Sequence, residues 1–356
     1  MDANVMLRIG VNALYLIPGG VGGTEIYLRN LLGALAEIDS TNQYVVFTSR
    51  EAGADLVPRQ VNFLWAPQPV RAAFRPGRIL WEQTALPVAV GRRKLDVLFN
   101  PGFTCPILRS CPNVTVFHDL QHKRHPEFFR WFDLPFWQLL LWASARISRG
   151  LISDSEATRA DLQRFYGVDS TVIHLGVERG FFEIAGKRQP KDFLLCVSTL
   201  HPHKNLERLL RAHNDALPEL VITGLRGFAA ERLERLAGPR VRFTGWITRA
   251  ELYELFRGAR GFIYPSLFEG FGMPVLEAMA ACIPVACSGI APLREIAEGC
   301  ALFFDPLDEN QIRAAMFDLL DASELIQRAQ ARASEFTWRK TACATLNYLE
   351  QVARLK

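Results

Sequence analysis

Glu269 and Glu277 flank a loop of Gly270, Phe271 and Gly272, followed by Met273, Pro274, Val275 and Leu276. Pro274 suits the first turn of a helix, where its missing N–H costs nothing. The glycines leave backbone amides open to a close ligand, and the helix N-terminus adds partial positive charge. A diphosphate fits such a place. The two carboxylates could then accept hydrogen bonds from hydroxyls on either side of it, as a sugar nucleotide would offer. The same spacing also fits a loop glutamate and a helix-surface glutamate with no role.

Lys204 lies in the run Ser198, Thr199, Leu200, His201, Pro202, His203, Lys204, Asn205, after a strand-like segment. A lysine at the carboxyl end of a sheet can neutralise a phosphate, whereas a solvated lysine at a helix start is the plainer alternative. The loop carrying Gly19, Gly20, Gly22 and Gly23 precedes a helical pattern and could cradle phosphate oxygens. It has neither the spacing of a dinucleotide fingerprint nor the Lys-Ser/Thr of a P-loop. His118, followed by Asp119, stands at another strand end. His118, His122 and His125 are close in sequence, but Lys123 and Arg124 intervene and no carboxylate pair completes a metal set. Metal binding is not expected.

Residues 128–142 are dense in aromatic and aliphatic side chains, with Arg130, Arg146 and Arg149 nearby. This stretch reads first as a buried helix pair. The alternative is an interfacial segment or part of a site for a lipid-linked acceptor.

The elements that must hold these residues alternate along the chain. Strand-like runs occur at 7–16, 43–48, 96–100, 114–118 and 151–153, with helical patterns at 24–35 and from about Ser155 to Gly167. The second half repeats the plan, with strands at 193–199, 219–223, 241–243, 261–265 and 284–287 and a helix at 206–213. Such alternation implies α/β architecture: two Rossmann-like, doubly wound domains, each a parallel sheet with helices on both faces. Residues 183–192 are polar, carry Gly186 and Pro190 and show no period, as an inter-domain linker would. The expected domains are therefore 1–182 and 193–336, with a last helix at 337–356.

At 356 residues the chain is too long for one ordinary core and suits two domains. It is 49% hydrophobic and 22% charged, which excludes a disordered chain, and its net charge of +4 is too weak to argue for nucleic acid. The balance suits anionic ligands or acidic lipid headgroups. The run 136–145 is broken by Gln138 and is about half the length needed to span a bilayer. With no signal-like start, a cytoplasmic protein is expected, with peripheral contact at the inner membrane surface left open. The 7 cysteines form no CxxC pair, and Cys196, Cys282, Cys287 and Cys300 read as reduced core residues.

The run from Pro265 through Glu269, Gly270, Gly272 and Glu277 to Ala280 resembles the E-x7-E donor motif of the retaining glycosyltransferases of family 4. The loop ending Lys204-Asn205 is similar to that family's G-T-L-E-P-R-K-N, and His118-Asp119 to its H-D element. Phe304-Asp305-Pro306 and Phe336-Thr337-Trp338 match its downstream pattern, so the resemblance covers nearly the whole chain. It implies the GT-B fold: two domains facing a cleft, with the C-terminal helix crossing back to the first.

The resemblance also implies roles. Glu269 would hold donor-sugar hydroxyls and Glu277 the ribose. Lys204 would bind the diphosphate with amides from Gly272, Met273, Val275 and Leu276. Gly22 and Gly23 would approach that diphosphate, His118 would line the reacting sugar through its backbone carbonyl, and backbone beside Trp246 would meet the base. Transfer would retain configuration without a metal or other cofactor. The partners implied are a GDP- or UDP-sugar, mannose first, and a glycan or lipid-linked glycan acceptor of surface-polysaccharide synthesis. Ser198 and His203 stand where many members carry Gly and Arg; His203, Arg226 or Arg249 would have to substitute for that Arg. A sugar-nucleotide epimerase and a module that binds without catalysis are the competing readings on the same fold.

Overall fold

The computed structural model describes residues 6–20 and 22–354. The chain forms two compact units, Met1–Gly176 with Trp338–Lys356, and Val177–Thr337.

The first unit holds β1 (Arg8–Ala13), β2 (Gln43–Thr48), β3 (Phe63–Pro67), β4 (Val97–Asn100), β5 (Asn113–Phe117), β6 (Gly150–Ser153) and β7 (Thr171–Val172). They form a 7-stranded sheet in the order β3-β2-β1-β4-β5-β6-β7, parallel at every pairing. The second unit holds β8 (Phe193–Val197), β9 (Glu219–Thr223), β10 (Val241–Gly245), β11 (Gly261–Tyr264), β12 (Val285–Ser288) and β13 (Leu302–Phe304). These form a 6-stranded parallel sheet in the order β10-β9-β8-β11-β12-β13. Central strands such as β5 are buried along their whole length, because helices cover both faces.

In each sheet the winding reverses beside the first strand, between β1 and β4 and between β8 and β11. Connections that run to opposite faces part there and leave a crevice at the carboxyl ends, where such folds take ligands.

The main strands follow the alternation in the sequence. β3, β7 and β13 were not anticipated. β3 exposes Leu64 and Trp65 and ends in Pro67, so neither a buried run nor a clean alternation marks it. The helix Arg75–Arg92 was also missed, since Pro76, Gly77, Pro87 and Gly91 all read as breakers.

The helix Glu156–Tyr166 matches its signals closely. The Ser155 side chain accepts from the amide of Thr158, and Gly167 closes the helix at φ 65°.

The terminal helix Trp338–Arg354 belongs to the first unit. Its Thr341 hydroxyl donates to the carbonyl of His174 at 2.8 Å, and Glu350 accepts from Asn42 at 3.1 Å.

The stretch 183–192 differs from the linker expected there. It starts inside the helix Arg179–Ala185, whose Phe181 and Ile184 are buried. Beyond it the amides of Gln189 and Lys191 donate to the carbonyls of Arg257 and Gly258 at 3.0 and 2.8 Å. Polar composition therefore marked a strap bonded into the second unit, and the division falls earlier, after Gly176.

The aromatic stretch also differs. It forms one helix, Leu134–Ile147, that buries Leu140, Leu141 and Ala145 but exposes Phe136, Leu139 and Trp142. Cys196, Cys287 and Cys300 are buried as expected, while Cys282 is only half-buried and sits at φ 56°.

Candidate donor site

β8 and β11 lie side by side at the reversal point of the second sheet. The loop after β8 brings Lys204 and the loop after β11 brings Glu269, so two segments distant in sequence meet at one crevice. The Lys204 ammonium donates to Glu269 Oε1 at 2.6 Å and to the Tyr264 hydroxyl at 3.3 Å. Both side chains are largely buried, at 14% and 11% exposure. Burial pushes the Glu269 carboxyl up, but the Lys204 charge and hydrogen bond outweigh that and hold it below the usual range. An ammonium has three donors, so this pairing leaves one for a ligand oxygen.

The loop that follows is shaped by Gly272, at φ 112° with a Cβ position only 2.3 Å from Leu293 Cδ2. Only glycine fits there. Gly272 precedes the helix Met273–Ala280, which has no side-chain cap. The amides of Val275 and Leu276 already donate to the Gly272 carbonyl, at 3.0 and 3.5 Å, and Pro274 has no amide. The set of amides suited to a ligand thereby narrows toward those of Gly272 and Met273.

Glu277 sits one turn further along, 10% exposed. Burial pushes its carboxyl up to about 7, against the opposing pull of Arg249, whose Nη2 lies 3.8 Å away. Arg249 is itself held by Glu178, which accepts from its Nε at 3.1 Å, and its guanidinium lies over the rings of Phe181 and Tyr253. Tyr253 also donates to Glu178 at 3.2 Å. Sequence reading named Arg249 only as a stand-in and did not reach Glu178 or Tyr253. Arg226, another stand-in, is spent on a bidentate pair with Glu234 at 2.7 and 3.1 Å. His203 has its ring stacked with that of His201, centroids 5.8 Å apart. Trp246 is 64% exposed and follows Gly245 at φ 70°.

In the first unit, Gly22 takes φ 59° immediately before the helix Gly23–Ile38, with Gly23 as its first residue. Val21, in the same loop, lies outside the described residues. The Gly19 amide already donates to Glu25 at 2.7 Å, so part of this loop is engaged by an internal carboxylate.

His118 follows β5 and is buried. Its Nδ1 lies 2.7 Å from Asp154 Oδ2 and its Nε2 2.8 Å from the Pro101 carbonyl. Burial disfavours the charged ring, but Asp154 outweighs it and holds the midpoint above the ordinary histidine value. The His118 backbone carbonyl accepts from the Thr158 hydroxyl at 3.3 Å. Asp154 was missed in the sequence, although its place just after β6 gave the same strand-end signal as His118.

The neighbouring histidines go elsewhere. His122 Nε2 bonds the Tyr166 hydroxyl at 2.6 Å and His125 Nδ1 bonds Glu127 at 2.9 Å. Among the described residues, no cluster of His, Cys, Asp and Glu suits a metal ion.

Two Rossmann-like units, one with a lysine and two glutamates around a glycine-led helix, define a protein of the GT-B class. Comparison with known proteins agrees. Residues 21–180 match the family described as Glycosyltransferase Family 4, and residues 178–336 match Glycosyl transferases group 1. The O-antigen chain mannosyltransferase B of Escherichia coli is 28% identical over 284 residues, covering 70% of this chain and 73% of that protein. The O-antigen chain mannosyltransferase RfbU of Salmonella typhimurium is 26% identical over 258 residues, covering 70% and 71%. Among solved structures, the sucrose-phosphate synthase of Thermosynechococcus elongatus superposes with a TM-score of 0.80 over 97% of this chain and 99% of that one, at 19% identity. The chain belongs to the glycosyltransferases of family 4.

Proposed function

We propose that this protein transfers mannose from GDP-mannose to a lipid-linked glycan, with retention of configuration and no metal. The observation that carries the reading is the Lys204–Glu269 pair beside the Gly272 turn, with Glu277 on the helix that follows. In this reading the remaining Lys204 donor binds the diphosphate with the amides of Gly272 and Met273. Glu269 accepts from sugar hydroxyls and Glu277 from the ribose, with the base beside Trp246.

The acceptor hydroxyl oxygen bonds to the anomeric carbon as the carbon–oxygen bond to the diphosphate breaks. A phosphate oxygen of the leaving group takes the hydroxyl proton, so no protein base is needed. Catalysis then rests on stabilising charge on the diphosphate and on positioning. The choice of mannose is supported by two relatives named as mannosyltransferases.

The test is incubation with a panel of GDP- and UDP-sugars and glycan acceptors. Acceptor-dependent release of GDP from GDP-mannose, with an axial product linkage by NMR, is the expected result. Donor interconversion without acceptor would point to an epimerase, and binding without turnover to an inactive module. Excess EDTA should leave the rate unchanged; loss restored by Mg²⁺ or Mn²⁺ would overturn the metal-free mechanism.

A further inference from the structure

A helix apolar on every face normally belongs in a core or against lipid. The helix Leu134–Ile147 carries large apolar side chains on both its buried and its exposed sides, with Gln138, Ser144 and Arg146 as its polar residues. Its inner side, with Leu140, Leu141 and Ala145, packs into the core. Trp137 and Leu141 line a cavity of about 440 Å³ in the same unit. Its outer side presents Phe136, Leu139 and Trp142, 52%, 63% and 44% exposed. Spaced three apart, these side chains share one helix face. Just before the helix, Trp131 is 83% and Phe132 57% exposed.

In the loop after β4, Leu108 is also exposed, at 74%. That loop is fixed to the helix: the Cys105 amide donates to Ser144 Oγ at 3.2 Å, and Arg109 donates to the Ile147 carbonyl at 3.0 Å. The loop and the carboxyl half of the helix are therefore held together.

Charge decides the occupant. The helix contains no acidic residue, and its one charged side chain is Arg146. Exposed Arg130 directly precedes Trp131, exposed Arg109 bonds the carboxyl end of the helix and exposed Arg149 follows that end by two residues, while Glu127 is paired with His125 and Asp133 is half-buried at the helix start. Arg75 caps the inner side, its guanidinium 4.5 Å from the centre of the Trp137 ring. Bulky aromatics with arginines at both ends of the helix match the boundary of an anionic bilayer, where indoles settle at headgroup depth and each nearby cation adds attraction. No described helix is long and apolar enough to cross a membrane, so the contact is peripheral.

We infer that the face formed by Trp131, Phe132, Phe136, Leu139, Trp142 and Leu108 docks this protein onto an anionic lipid surface. The inference deepens the proposed function, because a lipid-linked acceptor is presented at such a surface.

The experiment is flotation of the full chain with vesicles of phosphatidylcholine, with or without phosphatidylglycerol, and no sugar nucleotide present. Mixed vesicles should carry at least about tenfold more protein than neutral ones. Trp131→Ser/Phe136→Ser/Leu139→Ser should lose at least about tenfold of that binding. Arg130→Ala/Arg149→Ala should lose a similar amount. All these side chains are exposed, so folding should survive, as checked by circular dichroism and GDP affinity. Equal binding to neutral vesicles, no flotation, or undiminished flotation of the triple variant would each overturn the inference. So would self-association in solution that the triple variant abolishes, since the patch would then face a second copy. Flotation is independent of catalysis: its failure leaves the transferase reading intact, and a floating protein without turnover leaves the lipid surface intact.

Discussion

Two buried base–acid pairs stand at carboxyl ends of parallel strands, one in each unit, and they differ in what they leave unused. In the first unit, His118 commits both ring nitrogens, one to Asp154 and one to the Pro101 carbonyl. In the second, Lys204 meets Glu269 and Tyr264 and keeps a donor in hand. A charged side chain at the ligand edge of a sheet is thus not enough to mark a binding group. Spare hydrogen-bonding capacity separates the side chain that can take a ligand from the one that holds a strand end in place. The His118 ring belongs to the second kind.

The largest effect should come from Lys204→Ala. It removes the charge proposed to bind the diphosphate, and kcat/KM should fall by about 10²–10³. It also strands Glu269 as an unpaired buried carboxylate, at a cost on the order of 3–5 kcal/mol. The double variant Lys204→Ala/Glu269→Gln should recover much of the stability and none of the activity. Thermal denaturation and a GDP-release assay separate the two effects. A wild-type rate in the single variant would break the comparison at its root.

Much of the fold was legible because its determinants are local. The β2 and β9 runs, the Ser155 cap and Gly167 are signals a few residues long. β3 and the helix Arg75–Arg92 were not, since an edge strand is half-exposed and prolines hide a helix that tertiary packing stabilises. The donor site was legible as residue types, from Lys204 to Glu277. Its pairings were not, because they join side chains far apart in the chain. Nothing near His118 announces Asp154, and nothing near Glu277 announces Glu178. The 183–192 strap and the outward face of 134–147 were misread because composition reports polarity and not what a segment packs against.

A medium effect should follow from Arg249→Met. Burial raises the Glu277 carboxyl to about 7, and Arg249 is the charge that opposes the rise. The folded midpoint lies above the ordinary carboxylate value, so the fold favours the neutral acid. That contribution to stability is complete at low pH and is lost as pH rises through about 7. In the proposed donor site, ribose binding by the carboxylate runs the other way, so donor KM should improve as pH rises through the same region. Removing Arg249 moves the midpoint higher. Donor KM near neutrality should then worsen by about tenfold, because the carboxylate proposed to hold the ribose becomes the minor form. Glu277→Gln should flatten the profile. An Arg249→Met profile that overlays the wild type would detach Glu277 from the donor site.

The smallest effect on donor use should come from Asp154→Asn, and it sharpens the comparison most directly. Asp154 outweighs burial and keeps the His118 midpoint above its unfolded value. A raised histidine contributes stability in full below the unfolded midpoint, near 6.5, and loses it as pH rises through the folded one. The variant should therefore be least stable relative to wild type in acid, with the gap in Tm closing as pH rises. Its GDP affinity should stay within about twofold, because a pair with no spare donor has nothing to give the nucleotide. If Asp154→Asn weakened GDP as much as Lys204→Ala does, the two strand-end pairs would be doing the same job, and spare valence would not be what distinguishes them.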